Sequence, residues 1–157
     1  MTHQPILESR PIIWTTESDC VAFAESLAHK AALQDAFIAL EGPLGAGKTT
    51  FARHLLRMLG VTERIKSPTY ALLEPYELSG LRASHLDFYR FNDPREWIDA
   101  GLREVFEEPG LKLVEWPDKA GTLLPPADLR VCITPRPDGS REVAVHAQTP
   151  RGVELLA

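Results

Sequence analysis

Apolar residues fall along this chain in two rhythms, and the places where the rhythm changes mark the elements. Ala36-Phe37-Ile38-Ala39-Leu40 is apolar at every position and stops short of Gly42. A run with no polar face belongs to a strand buried on both sides, the habit of a parallel sheet. Leu111-Lys112-Leu113-Val114, ending at Glu115, predicts a second such strand. Leu129, Val131 and Ile133 alternate with other residues, as do Val143 and Val145, and Pro137-Asp138-Gly139-Ser140 between them supplies a hairpin turn. Tyr70–Glu74 and Leu81–Leu86 predict two more strands joined near Ser79-Gly80, and Pro11–Thr15 reads as a short strand or extended lead-in.

Helical spacing separates these strands. Thr16 with Asp19 three residues later resembles a helix start, and Val21, Ala24, Leu27, Ala28 and Ala31 give that helix one apolar face. Thr49 to Leu59 predicts a helix with Phe51, Leu55, Met58 and Leu59 turned inward and Gly60 as its stop. Asp93-Pro94-Arg95-Glu96 combines a capping Asp, a proline at the first helical position and an acid soon after. The expected architecture is α/β, with a mixed, partly antiparallel central sheet flanked by helices.

Between the first buried strand and the helix after it lies Gly42-Pro43-Leu44-Gly45-Ala46-Gly47-Lys48-Thr49, which satisfies G-x-x-x-x-G-K-[ST]. Glycines let backbone N–H groups turn inward around phosphate oxygens, and the following helix aims its positive end at them. In that chemistry Lys48 reaches the β- and γ-phosphates, and the Thr49 hydroxyl coordinates Mg²⁺. A nucleoside triphosphate, ATP with Mg²⁺, is therefore the expected ligand, and the whole chain, residues 1–157, is expected to be a single P-loop NTPase-like domain. A triphosphatase also needs a carboxylate at the metal and a group that places water. Glu115 and Asp87 each follow an apolar strand and are the two candidates, without the sequence separating their roles. Ser67-Pro68-Thr69-Tyr70 reads either as a hydroxyl-bearing loop that senses the γ-phosphate or as an ordinary Ser-Pro turn. His85 and Asp87 alternate on one strand, a spacing open to a metal pair and more often structural; the other histidines show no ligand spacing.

Composition narrows the context. The chain has 157 residues, 44% hydrophobic and 25% charged, within the range of an ordinary globular protein. Its formal net charge of −5 argues against tight, unaided nucleic-acid binding. Cys20 and Cys132 lack metal or redox spacing and read as buried thiols. Met1–Pro5 show no secretory pattern, and no apolar run approaches the ~20 residues that span a bilayer, so a reducing cytoplasm is expected and no membrane association.

Gly42 to Thr50 (GPLGAGKTT), Ser67 to Tyr70 (SPTY), His85 to Arg90 (HLDFYR) and Glu115 to Pro117 (EWP) together resemble the TsaE family in residues, order and spacing. Pro43 departs from it, standing where the family usually has Asp, which implies altered loop geometry or nucleotide affinity. The resemblance implies a slow Mg²⁺-dependent ATPase that acts with TsaB and TsaD in threonylcarbamoyladenosine modification of tRNA, meeting tRNA through that complex rather than directly. It implies catalytic roles for Lys48, Asp87 and Glu115, with Thr49 and Glu115 holding Mg²⁺ and Asp87 assisting hydrolysis. It also places Gly42 through Thr50 and Thr69 around the nucleotide, Trp116 beside Glu115, and Glu17 and Arg141 beside the adenine. Two rival readings remain: a small-molecule kinase, for which no arginine-rich lid is visible, and a nucleotide-sensing scaffold that needs no hydrolysis. Guanine specificity is disfavoured because no Asn-Lys-x-Asp is present.

Overall fold

A computed structural model describes residues 5–157; Met1–Gln4, on which the reading of the leader partly rests, lie outside the described residues. Seven strands form one sheet: β1 (Glu8–Trp14), β2 (Phe37–Glu41), β3 (Leu73–Leu78), β4 (Leu81–Asp87), β5 (Leu111–Glu115), β6 (Leu129–Pro135) and β7 (Arg141–Ala147). Their order is β1-β7-β6-β2-β5-β4-β3. The central run β6-β2-β5-β4 is parallel, and antiparallel pairings add β7 and β1 at one side and β3 at the other.

The continuous apolar run of β2 is explained by two cores. Ile38 and Leu40 join Leu111, Leu113, Val131 and Ile133 in the larger one, beneath α1 (Glu17–Ala28), α2 (Lys48–Met58) and the C-terminal α5 (Pro150–Leu156). Phe37 and Ala39 face the other way, towards Leu86, Phe88, Trp97 and Val114, under the short helices α3 (Glu96–Asp99) and α4 (Arg103–Glu107). Trp14 stacks on Phe51 at 5.9 Å, tying β1 to α2. Each fully buried Leu or Phe here contributes about 1.5–3 kcal/mol, and Leu40, Leu55, Leu56 and Phe51 are all 0% exposed.

Several boundaries differ from the expected ones for identifiable reasons. The segment expected as a strand from Tyr70 to Glu74 begins as a turn: Leu72 has φ 69°, its N–H bonds the Pro68 carbonyl at 2.7 Å, and Tyr70 is 83% exposed. Strand pairing starts only at Leu73 and continues through Pro75, which is tolerated because β3 is an edge. The inward face of α1 is Cys20, Ala24 and Leu27; Val21 is only half-buried, and Ala31 falls in a separate 3-10 turn. On α2, Ala52 and Leu56 fill the core, while Met58 is 41% exposed. Asp93-Pro94 starts only a turn, since the helix begins at Glu96 and lasts four residues. The capping of α1 is as expected, with the Asp19 carboxylate accepting from the N–H groups of Thr15 and Thr16 at 2.8 and 3.1 Å.

Candidate functional site

The parallel register brings the carboxyl ends of β2, β5 and β4 side by side, so that Leu40 pairs with Glu115 and Glu115 with Asp87. Crevices at strand carboxyl ends are where open α/β sheets collect ligands. β2 runs directly into the glycine loop, and the loop into α2. Gly42 has φ 149°, and a Cβ there would stand 2.4 Å from the Ile133 carbonyl oxygen, so only glycine fits. Gly47 caps α2 in the left-handed region at φ 108°. Arg141 Nε donates to the Ala46 carbonyl at 2.6 Å, fastening the loop to β7. Ala46 N–H donates to the Pro43 carbonyl at 3.1 Å, so the loop closes on itself around the proline.

Lys48 is buried and folded into this loop. Its Nζ donates to the carbonyls of Gly42 and Pro43, the latter at 3.3 Å, and lies 3.7 Å from the centre of the Trp116 ring. Burial pulls the ammonium below its ordinary pKa, against the opposing pull of Glu115, Asp87 and Asp118. Thr49 Oγ1 donates to Glu115, 2.8 and 3.0 Å from its two carboxylate oxygens. Glu115 is 2% exposed, and its Oε2 also accepts from His85 Nε2 at 2.7 Å. The ring's Nδ1 has no partner among the described residues. His85 therefore points at Glu115, and among the described residues no three His, Cys, Asp or Glu gather as a metal cluster.

Asp87 is held from two sides: Oδ1 accepts from the Tyr89 N–H at 2.8 Å and Oδ2 from the Thr69 hydroxyl at 3.1 Å. Burial raises its pKa above the ordinary 3.8, the Tyr89 bond works against this, and the nearby Glu115 adds to it. Thr69 Oγ1 also lies 2.9 Å from Ser67 Oγ, so the Ser-Pro segment is hydrogen-bonded to the carboxylate wall rather than being a free turn. Trp116 adopts φ 56°, a conformation costing a non-glycine residue of order 1–3 kcal/mol. It brings the indole against Lys48 and to 5.0 Å from the Tyr89 ring.

These residues line a cavity of about 280 Å³ made of Leu44 to Thr50, Thr69, Asp87, Tyr89, Glu115, Trp116 and Arg141. A second hollow of about 180 Å³ is lined by Trp14, Thr16, Glu17, Cys20, Gly47, Thr50 and Arg141. Gly47, Thr50 and Arg141 belong to both, so the two form neighbouring compartments. Gly42 and Pro43 line neither and act through their carbonyls on Lys48. Every other residue expected at the site lines at least one compartment, Glu17 the smaller alone. Its carboxylate bonds His54 Nε2 at 2.8 Å. Tyr89 and Trp14 were not singled out from sequence, and His85 was weighed only beside Asp87 and not as a partner of Glu115; Tyr89 lies inside HLDFYR, which was the available signal. Cys20 is buried, as expected, and desolvation pushes its thiol up to about 12, whereas Cys132 is only half-buried. A larger opening of about 580 Å³ lies at the opposite end of the sheet, by Gln34, Gly80 and Gly110, and includes none of the residues expected at the nucleotide site.

The donor set suits a hard divalent cation. A hydroxyl and a buried carboxylate, both oxygen donors, already meet at one point, and Mg²⁺ typically takes one or two protein oxygens and completes its shell with water and phosphate.

Comparison with known proteins identifies the family and the fold. A family model described as "Threonylcarbamoyl adenosine biosynthesis protein TsaE" matches residues 14–143. The chain is similar to the "tRNA threonylcarbamoyladenosine biosynthesis protein TsaE" of Haemophilus influenzae, 38% identical over 135 residues, covering 86% of this chain and 85% of that one. The protein of the same name in Bacillus subtilis is 39% identical over 110 residues, covering 70% and 68%. The crystal structure of Bacillus subtilis YdiB superposes with a TM-score of 0.78 at 28% identity, covering 95% of this chain and 92% of that one. No helix among the described residues is long and apolar enough to cross a membrane.

Proposed function

The chain belongs to the TsaE family, and from that premise we propose that it is the Mg²⁺-dependent ATPase of bacterial tRNA threonylcarbamoyladenosine synthesis, working in the cytoplasm with TsaB and TsaD. The observation that carries this reading is the convergence of Lys48, the Thr49–Glu115 hydrogen bond and the buried, doubly held Asp87 on one cavity at the mouth of a glycine loop. The triphosphate lies along Gly42 to Thr50, where backbone N–H groups and the α2 terminus meet its charge. On binding, Lys48 exchanges its loop carbonyls for phosphate oxygens, whose negative charge offsets the cost of its burial.

The adenine occupies the compartment between Glu17, Trp14 and Arg141, next door to the phosphates. Thr49 and Glu115 would hold Mg²⁺, with His85 fixing the carboxylate, and the ion would there supply neutralisation of the phosphate charge. Asp87 orients the attacking water and accepts its proton; its raised pKa makes it a better base than an exposed aspartate. Thr69 reports the state of this wall to its own loop.

The test is phosphate release by the purified chain with and without TsaB and TsaD, paired with rescue of threonylcarbamoyladenosine in bulk tRNA of a TsaE-depleted bacterial strain. Wild type is expected to hydrolyse slowly alone, faster with the partners, and to rescue. Failure of the folded protein to rescue defeats the pathway assignment. Full rescue by a hydrolysis-dead Asp87→Ala variant would instead favour a scaffold that only senses nucleotide.

A further inference from the structure

On the far side of the Ser-Pro segment, the end of α2 and the loop after it enclose a concavity of about 530 Å³ lined by Arg53, Arg57, Arg64, Ile65, Lys66 and Ser67. Four of its six lining residues are cationic and none is acidic, in a chain of net charge −5. None of the four cations forms an ion pair with a carboxylate among the described residues. The wall is also fixed. Arg57 Nη1 donates to the carbonyls of Val61 and Glu63 at 2.9 and 2.7 Å, and Val61 and Ile65 are buried in the core beneath. Glu63 stands beside Arg64 in the chain but pairs with none of the four, and like charges gathered on a fixed concave surface without ion-paired partners repel one another, a cost that an anion bound there relieves.

We propose that this concavity binds the phosphodiester backbone of RNA. The inference rests on the tRNA reading above and deepens it, assigning the chain a direct contact with RNA where composition alone spoke for contact only through partners. Arginine is suited to phosphate because its planar fork meets two oxygens at once. The only apolar lining residue, Ile65, is 6% exposed, so the centre of the surface lacks the apolar anchor of a protein interface. No aromatic ring lines it, so the contact is to the backbone and indifferent to base sequence. Ser67 lines the concavity and is hydrogen-bonded to Thr69, which is hydrogen-bonded to Asp87. Occupancy by phosphate is thereby communicated to the carboxylate that faces ATP.

The experiment titrates the full chain into fluorescent unmodified tRNA at several salt concentrations, with an ADP analogue titrated in parallel. Wild type is expected to bind weakly, with log affinity falling against log salt at a slope of about −3, as about four phosphate contacts require. Arg53→Glu/Arg64→Glu is expected to lose about tenfold or more in tRNA affinity with nucleotide affinity unchanged, which also reports that it is folded. No tRNA association by wild type, equal association by the double variant, or binding of polyglutamate in preference to tRNA overturns the proposal. Loss of nucleotide binding by wild type defeats the ATPase reading instead, and the two titrations separate those failures. For the communication, tRNA is expected to change wild-type ATP turnover by about twofold or more and Ser67→Ala to lose that response while still binding tRNA; an unchanged response in Ser67→Ala overturns that part.

Discussion

The two walls of the nucleotide site are built in different ways. The cradle, Gly42 to Thr50, consists of consecutive residues between a strand and a helix, and its donors are backbone groups fixed by local conformation. The facing wall is assembled from Thr69, Asp87, Glu115 and Trp116, brought together by the parallel register of β4 and β5 and by a turn. The cradle has glycine where the backbone needs it. The wall carries its strain on non-glycine residues, Leu72 and Trp116, and buries two carboxylates beside each other. A locally built cradle suits binding, which demands only shape and dipoles. A wall of buried charge under strain suits chemistry and switching, where the arrangement must respond to what is bound.

That contrast can be broken by substitutions that separate binding from turnover. The largest effect is expected in the wall. Asp87→Asn keeps an acceptor for the Tyr89 N–H yet removes the base, and should lower ATP turnover by about 10²–10⁴-fold while leaving nucleotide affinity nearly unchanged, as read by phosphate release and analogue titration. In the cradle, Lys48→Ala should weaken nucleotide binding by roughly 100-fold, the upper range for hydrogen bonds to a charged group. His85→Phe removes the donor that fixes Glu115 and should raise the Mg²⁺ concentration needed for half-maximal turnover by about tenfold. If nucleotide binding in the absence of Mg²⁺ falls equally, His85 supports the cradle rather than the metal.

The smallest expected effect is on stability, and its sign is opposite to the effect on activity. Because the folded-state pKa of Asp87 is raised, folding is favoured relative to neutral pH while the carboxyl is protonated. That stability is fully present below its ordinary value of 3.8 and is lost as pH rises through the raised value. Asp87→Asn should therefore melt slightly above wild type at neutral pH, with the difference shrinking towards acid. A lower melting temperature at neutral pH would mean that the Thr69 and Tyr89 hydrogen bonds outweigh desolvation.

The same division decides how much was legible in the sequence. The cradle was readable residue by residue because strand, glycines, lysine and threonine are contiguous and each has a local reason. Glu115 and Asp87 were identifiable as strand-end acids, but residues alone could not separate their roles; that needs the Thr49 bond to one and the Thr69 and Tyr89 bonds to the other. The His85–Glu115 contact spans 30 positions and follows from strand pairing, which no local pattern encodes. The strand expected from Tyr70 failed for a related reason, since apolar residues there serve a turn whose geometry is set by Asp87 N–H bonding the Leu72 carbonyl. Pro75 masked the true edge strand, and the final helix α5, capped by Thr149, was too short and mixed in pattern to stand out.

The most direct measurement is a calorimetric titration of a non-hydrolysable ATP analogue into the purified chain with Mg²⁺, beside Lys48→Ala and Thr49→Ala. A single saturable site is expected for wild type, nearly lost in Lys48→Ala and insensitive to added Mg²⁺ in Thr49→Ala. No heat of association with the folded wild-type chain, or an identical curve for Lys48→Ala, would contradict a nucleotide site at Gly42 to Thr50.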